Sequence, residues 1–283
     1  MPPTLDSIVA ATRQGLSQRR AAMDLRALER VAAHHTPRGF RTALQRSANE
    51  GIVIIAELKK ASPSKGLIRA DFRPTELARE LQTAGAAALS VLTDEEFFQG
   101  SLENLRAASA ATSLPCLRKD FIIDQLQILE ARANFADAIL LIVAALTDKE
   151  LRLFAANARA ISLDVLCEAH DENELHRALD AGCDLIGINS RNLHTFEVNI
   201  QNAFRLAEKI PDNCLAVAES GIHSGADLTR LRSAGYDAFL IGESLMKADR
   251  PGEKLTKLLA EAEQTAAASK QERVSSSLEA RSS

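Results

Sequence analysis

The 283-residue chain has no tryptophan, one tyrosine and only 4% aromatic residues. Surfaces that stack nucleobases need aromatic faces, so this composition argues against a nucleic-acid binder. The net charge is −4, without the basic excess that draws a chain to nucleic acid or to an anionic membrane. No apolar run approaches the ~20 residues needed to cross a bilayer. The opening stretch MPPTLDSIVAATRQGLSQRR lacks a basic segment followed by an apolar one, which predicts no secretory leader. Cys116, Cys167, Cys183 and Cys214 are widely spaced and no CxxC occurs. Buried free thiols in a reducing cytoplasm are therefore expected. No metal-ligand spacing stands out: His170 and His176 are six apart, off the i, i+4 geometry of a zinc pair.

What is present is a repeat. Short apolar runs end in polar residues and are followed by amphipathic helical stretches. The runs are IVIIAEL (52–58), AALSVLT (87–93), PCLRKD (115–120), DAILLIV (137–143), LDVLCEA (163–169), DLIGINS (184–190), CLAVAES (214–220) and DAFLIGE (237–243). Thr147, Asp171 and Asn199 or a neighbour suit helix starts, Pro74 suits a first turn, and Gly85, Gly182 and Gly235 suit helix ends. Apolar strands alternating with helices imply a parallel sheet covered by helices. Eight units predict an α/β fold of the closed (β/α)8, or TIM, barrel type. A doubly wound sheet is disfavoured because no GxGxxG follows the first run.

Residues 1–50 read as an N-terminal helical extension packed on the barrel or over one mouth, with helices in SIVAATRQGLSQRRAA and from Thr36 or Pro37. Residues 51–263 form the barrel. Residues 264–283 read as a polar, frayed or disordered tail.

In such a barrel the site lies at the C-terminal strand ends. There stand Glu57, Lys59, Lys119, Asp120, Glu168, Asn189, Ser190, Arg191, Glu219, Ser220, Gly242 and Glu243. So many ionisable groups around one axis are unfavourable unless paired or used. Lysine beside glutamate supplies a proton donor and an acceptor, the lysine being expected to have a lowered pKa and a carboxylate a raised one. Lys59, Lys119 and Arg191 suit a substrate with more than one negative charge. Gly221 and Gly242, in the last two loops, lie where backbone amides can approach a phosphate, with Ser62 and Ser64 as added donors. His34 and His35 read as surface, and Asp94–Glu96 as a solvated loop. Phe97, Phe98 and Phe121 read as core, with one or more free to line the pocket. The fourth run, without a charge at its end, predicts an apolar wall. The residues thus imply acid–base chemistry on a phosphorylated small molecule, with no evident metal or redox cofactor.

The ordered motifs IIAELKKASPSKG, VLTDEEFFQGS, LRKDFIID, IGINSRNL, VAESGI and FLIGESLM, with PRGFRTAL before them, resemble the indole-3-glycerol phosphate synthase family of tryptophan biosynthesis over about residues 1–262. The resemblance implies a cytoplasmic lyase without a cofactor, acting on 1-(2-carboxyphenylamino)-1-deoxyribulose 5-phosphate. It implies Lys119 as general acid and Lys59 as carboxylate holder and proton donor in dehydration. Glu57 would be the base for dehydration, and Glu168 would stabilise charge at the anilino nitrogen. Asn189, Arg191, Glu219 and Ser220 would orient the substrate, and Phe98 and Phe121 would pack its ring. Ser62, Gly221, Gly242 and the backbone at Glu243 would bind phosphate. Two positions depart from the pattern: Ala61 stands where relatives often carry a larger residue, and Glu243 where some have Ser, so its carboxylate is expected to point away from the anion. A phosphoribosyl anthranilate isomerase would carry Cys-Gly after the first strand, where this chain has Glu57 and Lys59. A non-catalytic phosphosugar-binding barrel would lack the acid–base groups.

Overall fold

The computed structural model describes residues 3–192 and 195–279. Eight parallel strands close into a barrel: β1 (Val53–Leu58), β2 (Ala88–Leu92), β3 (Cys116–Lys119), β4 (Ala138–Ile142), β5 (Asp164–Ala169), β6 (Leu185–Asn189), β7 (Leu215–Glu219) and β8 (Ala238–Ile241). Each pairs with its chain neighbours, and β1 closes the ring on β8, Val53 opposite Ala238 and Ala56 opposite Ile241. Helices follow the strands and cover the outside, so the strands are buried on both faces and read as unbroken apolar runs.

Strand alternation sorts the residues into two layers. Val53 and Ile55 of β1, Leu117 of β3, Leu140 of β4, Leu166 of β5 and Val217 of β7 pack together around the axis. Their neighbours Ile54, Ala56, Cys116, Leu141, Cys167 and Ala218 pack against the helices instead. Polar residues at the next axis-facing positions are thereby carried to the mouth.

Punctuation follows local chemistry. Thr147 caps its helix within a capping box, Asp171 accepts from Glu174 N, Asn199 accepts from Gln201 N at 3.0 Å and Pro74 opens a first turn. Gly85, Gly182 and Gly235 adopt positive φ just past helix ends.

Three helices precede the barrel: α1 (Leu5–Ala22), α2 (Leu25–Ala33) and α3 (Phe40–Ala48). The sequence reading omits α2, which Asp24 caps by accepting from Ala27 N at 3.0 Å. It also starts α3 too early, since Gly39 at φ 74° is the cap and Phe40 the first helical residue. Buried Phe40 and Leu44 close the lower end of the barrel. The neighbouring arginines tie to groups at strand starts: Arg38 N and Nε donate to Asp137 at 2.7 and 2.9 Å, and Arg41 Nε lies 3.0 Å from Asp184. The final helix runs from Pro251 to Glu279 and so extends into the stretch from 264 that the sequence reads as a polar tail. Ala, Glu, Gln and Lys in EAEQTAAASKQE are strong helix formers, and residues 280–283 lie outside the described residues. No helix among the described residues is long and apolar enough to cross a membrane.

Candidate active site

The fourteen residues to which the family resemblance gives roles all border a single cavity at the C-terminal ends of the strands: Glu57, Lys59, Ser62, Phe98, Lys119, Phe121, Glu168, Asn189, Arg191, Glu219, Ser220, Gly221, Gly242 and Glu243. The alternation explains the convergence. Glu57 stands two beyond Ile55, Lys119 two beyond Leu117, Glu168 two beyond Leu166 and Glu219 two beyond Val217, each of those apolar residues lying in the axial core.

Lys119 is the hub. Its Nζ donates to Glu168 Oε2 at 2.9 Å and lies 3.6 Å from Glu219 Oε2. Asn189 Nδ2 donates to Glu168 Oε1 at 3.1 Å, while Asn189 Oδ1 accepts the Arg191 backbone N–H at 3.0 Å. Across the mouth, Lys59 Nζ lies 2.8 Å from Glu57 Oε1, and Ser90 Oγ donates to Glu57 Oε2 at 3.5 Å.

These contacts set the protonation states. Burial drives the Lys119 ammonium down, but Glu168, Glu219 and Glu57 together raise it above the ordinary lysine value. This corrects the expectation of a lowered lysine, because three carboxylates face this one. Burial pushes Glu57 and Glu168 up, yet Lys59 and Lys119 hold the first, and Lys119 and His170 the second, below the ordinary carboxylate range. Glu219 behaves oppositely: burial and the neighbouring Glu168 push it up to about 8. The raised carboxylate is therefore Glu219, and neither Glu57 nor Glu168.

The loop after β1 is a small hairpin, Ala61–Ser62 pairing with Gly66–Leu67. It buries Ser62, whose Oγ has no protein partner among the described residues and sits at the cavity wall. An orphaned buried hydroxyl is costly unless something donates to it or accepts from it. Opposite, Ser220 and Gly221 are consecutive left-handed residues, at φ 63° and 78°. For Ser220 this is a sparsely populated conformation of the kind found at functional turns. The turn beginning at Glu243 follows Gly242, where a Cβ would strike the Glu57 side chain. Gly242 is thus needed to seat the Glu57 carboxylate. The Glu243 carboxylate is held by Lys247 Nζ at 2.6 Å and Arg191 Nη2 at 3.4 Å.

The other side of the cavity is apolar. Phe98 and Phe121 lie 6.1 Å apart between centroids, and Leu140 and Ile142 of β4 form the uncharged wall that the fourth run predicts. Leu5 and Ile8 of α1 reach over the mouth and join this lining. These two were missed as site residues, since nothing in an amphipathic helix says which end of a barrel it covers. Phe196 was likewise missed.

Other expectations need correction. Asp120 borders the cavity, but its carboxylate turns outward to Arg118 Nη2 at 2.8 Å and Thr93 Oγ1 at 2.6 Å. Arg118, 1% exposed, also lies 3.3 Å from Glu130 and donates to the Gln127 carbonyl at 2.6 Å. Ser190 is buried and does not line the cavity. His35 is no surface residue: its Nε2 lies 3.3 Å from fully buried Asp137. Asp94 is not simply solvated. Its carboxylate accepts from the Phe97 and Phe98 amides at 2.7 and 3.1 Å, shaping the loop that presents Phe98. Phe97 packs behind, against the axial core. His170, discounted as a zinc ligand, stands 3.4 Å from Glu168; its place two residues beyond Glu168 was the available signal. Among the described residues no group of three or more His, Cys, Asp or Glu is placed to hold a metal ion.

A closed (β/α)8 barrel with a lysine–carboxylate cluster, a buried serine hydroxyl and an apolar wall lining one cavity at its mouth defines the class: a (β/α)8 barrel with ionisable groups gathered at the C-terminal ends of its strands. Solved structures agree on the fold. A thiamine phosphate pyrophosphorylase from Pyrococcus furiosus superposes with a TM-score of 0.58 at 16% identity, covering 77% of this chain and 98% of its own. A mandelate oxidase variant gives 0.60 at 18%, covering 83% and 92%. The sequence model of indole-3-glycerol phosphate synthase matches residues 5–258. The curated indole-3-glycerol phosphate synthase of Koribacter versatilis is 61% identical over 92% of this chain and 100% of its own length; that of Burkholderia vietnamiensis is 48% identical over 91% and 99%. The chain belongs to the indole-3-glycerol phosphate synthase family.

Proposed function

We propose that the chain closes the indole ring of 1-(2-carboxyphenylamino)-1-deoxyribulose 5-phosphate, releasing CO2 and water, as a carbon–carbon lyase of the cytoplasm. The observation that carries the roles is Lys119 Nζ held by Glu168 and Glu219 at the cavity floor. The raised ammonium stays protonated at neutral pH, the form an acid needs in order to protonate the substrate carbonyl. The ring carbon bearing the carboxylate attacks that carbonyl carbon, and the new bond's positive charge, shared with the anilino nitrogen, faces Glu168. Loss of CO2 restores the ring electrons. In the dehydration half, Lys59 protonates the departing hydroxyl and Glu57, 2.8 Å away, takes the proton lost from the ring side. Glu219, able to hold a proton near neutrality, limits the negative charge around Lys119 when a polyanion enters.

Ser62, Gly221, Gly242 and the Glu243 amide suit the phosphate, and the orphaned Ser62 hydroxyl supports that end. Arg191, Asn189 and Ser220 suit the carboxylate and hydroxyls. Phe98 and Phe121 suit the aromatic ring, which the apolar wall of β4 completes. The purified chain is expected to form indole-3-glycerol phosphate from that substrate, and Lys119→Met to lose several orders of magnitude in kcat. No product from folded wild type refutes the activity; a Lys119→Met variant within about tenfold of wild type refutes the acid role.

A further inference from the structure

His170 follows β5 two residues beyond Glu168 and does not itself line the cavity. Its side chain is 15% exposed and lies between two carboxylates. Nδ1 is 3.0 Å from Glu174 Oε2, and the same oxygen accepts the His170 backbone N–H at 2.8 Å. Nε2 is 3.4 Å from Glu168 Oε1 and buried, with no closer protein partner among the described residues. Asn202 Nδ2 donates to the His170 carbonyl at 2.7 Å and pins the loop. Charges therefore alternate along Glu174, His170, Glu168 and Lys119.

The two oxygens of Glu168 have different partners. Oε2 takes the Lys119 hydrogen bond, while Oε1 faces Asn189 and His170. From the other strands Glu168 meets Lys119 of β3, Glu219 of β7, Glu57 of β1 and the neutral Asn189 amide of β6. Glu57 has Lys59 beside it and Glu219 holds a proton near neutrality, so Glu168 is the charged partner of Lys119, through Oε2 alone, and its Oε1 has no cation on the cavity side. His170 adds a cation on the side of Glu168 turned away from the cavity. Burial opposes the imidazolium, but contacts with Glu168 and Glu174 push it up to about 10.

We propose that His170, braced by Glu174, is a positioning residue for the reaction, holding the Glu168 carboxylate so that Oε2 stays on Lys119. The proposal rests on the acid–base roles given above to Glu168 and Lys119.

The test compares His170→Gln with His170→Asn in the full chain. A Gln amide nitrogen takes the place of Nε2, beside Glu168; an Asn amide nitrogen takes the place of Nδ1, beside Glu174. Expected for His170→Asn is a fall in kcat of about tenfold or more with KM held within about threefold. His170→Gln falls less. In both, the lower pH limit of kcat moves upward, because loss of the imidazolium eases protonation of Glu168. Wild type is assayed first: absence of turnover there removes the reading of the site. An active wild type, with kcat and its lower pH limit unchanged in both variants, overturns the role of His170 alone. A larger loss in Gln than in Asn assigns the ring to bracing Glu174 and overturns it too. If either variant fails to fold, Glu174→Gln is read in its place. A lower kcat at constant KM supports the proposal, and wild-type kcat overturns it.

Discussion

At the scale of single residues, the unusual group is Glu219. Its folded pKa of about 8 lies above its unfolded value, so the folded state binds the extra proton. Stability from this group is therefore greatest below the unfolded carboxylate pKa, falls as pH rises toward 8, and stays low beyond it. Glu219→Gln mimics the protonated form and is expected to raise Tm over wild type by a margin that widens from pH 5 to 8.5, measured by calorimetry. About 2–4 °C corresponds to each kcal/mol for a domain of this size. An equal margin at all pH values would show that Glu219 ionises normally. The seat of this carboxylate is Gly187, axis-facing on β6, where a Cβ would meet Glu219 Oε1 and Leu166. Gly187→Ala is expected to keep the fold and lose activity on the order of 10²-fold, by moving Glu219 against Lys119. Circular dichroism and steady-state kinetics check both halves.

At the scale of elements, one N-terminal segment serves both ends of the barrel, and the two ends predict different phenotypes. Leu44 of α3 is fully buried in the lower plug. Leu44→Ala is expected to lower stability by about 2–5 kcal/mol in urea titration, with kcat unchanged in the folded enzyme. Ile8 of α1 lines the mouth. Ile8→Ala is expected to raise KM roughly tenfold with a smaller stability loss. Equal KM effects of the two would contradict this division. The strands were legible because runs such as IVIIAEL and CLAVAES are apolar almost throughout and carry a carboxylate near their C-terminal end at fixed parity. The same parity made Glu57, Lys119, Glu168 and Glu219 readable as a ring. Arg118 was not readable: an arginine inside PCLRKD looks like solvent-facing charge until Asp120, Glu130 and Thr93 surround it. Nor was α2, whose short LRALERVAA stretch derives its stability from packing on the helix Gln125–Ala133. Protonation of the site was legible only as the statement that some groups must be shifted. Which shifts and in which direction depended on three carboxylates facing one ammonium, a three-dimensional fact.

At the scale of the whole molecule, buried carboxylates with lowered pKa set the response to acid. Glu57, Glu168 and Asp137 are held below their ordinary values by Lys59 and Lys119, by Lys119 and His170, and by His35 and Arg38 respectively, against the burial that raises each. Such groups contribute stability that is fully present above the unfolded pKa and is lost as pH falls through the folded one. The urea midpoint is therefore expected to fall steeply below about pH 4, with both ends of the barrel, rim and base, weakened together. A midpoint flat from pH 5 to 2.5 would contradict these pairings.

The ring closes by joining its first strand to its last, and this governs how the molecule can be made. Until Ala238–Ile241 has emerged from the ribosome, the outer edge of Val53–Ala56 has no neighbour and offers open backbone groups to any passing chain. A messenger cut short just before the codons for this last strand would therefore yield a sticky, gapped cylinder with one wall of its cavity missing, fit for degradation rather than for turnover.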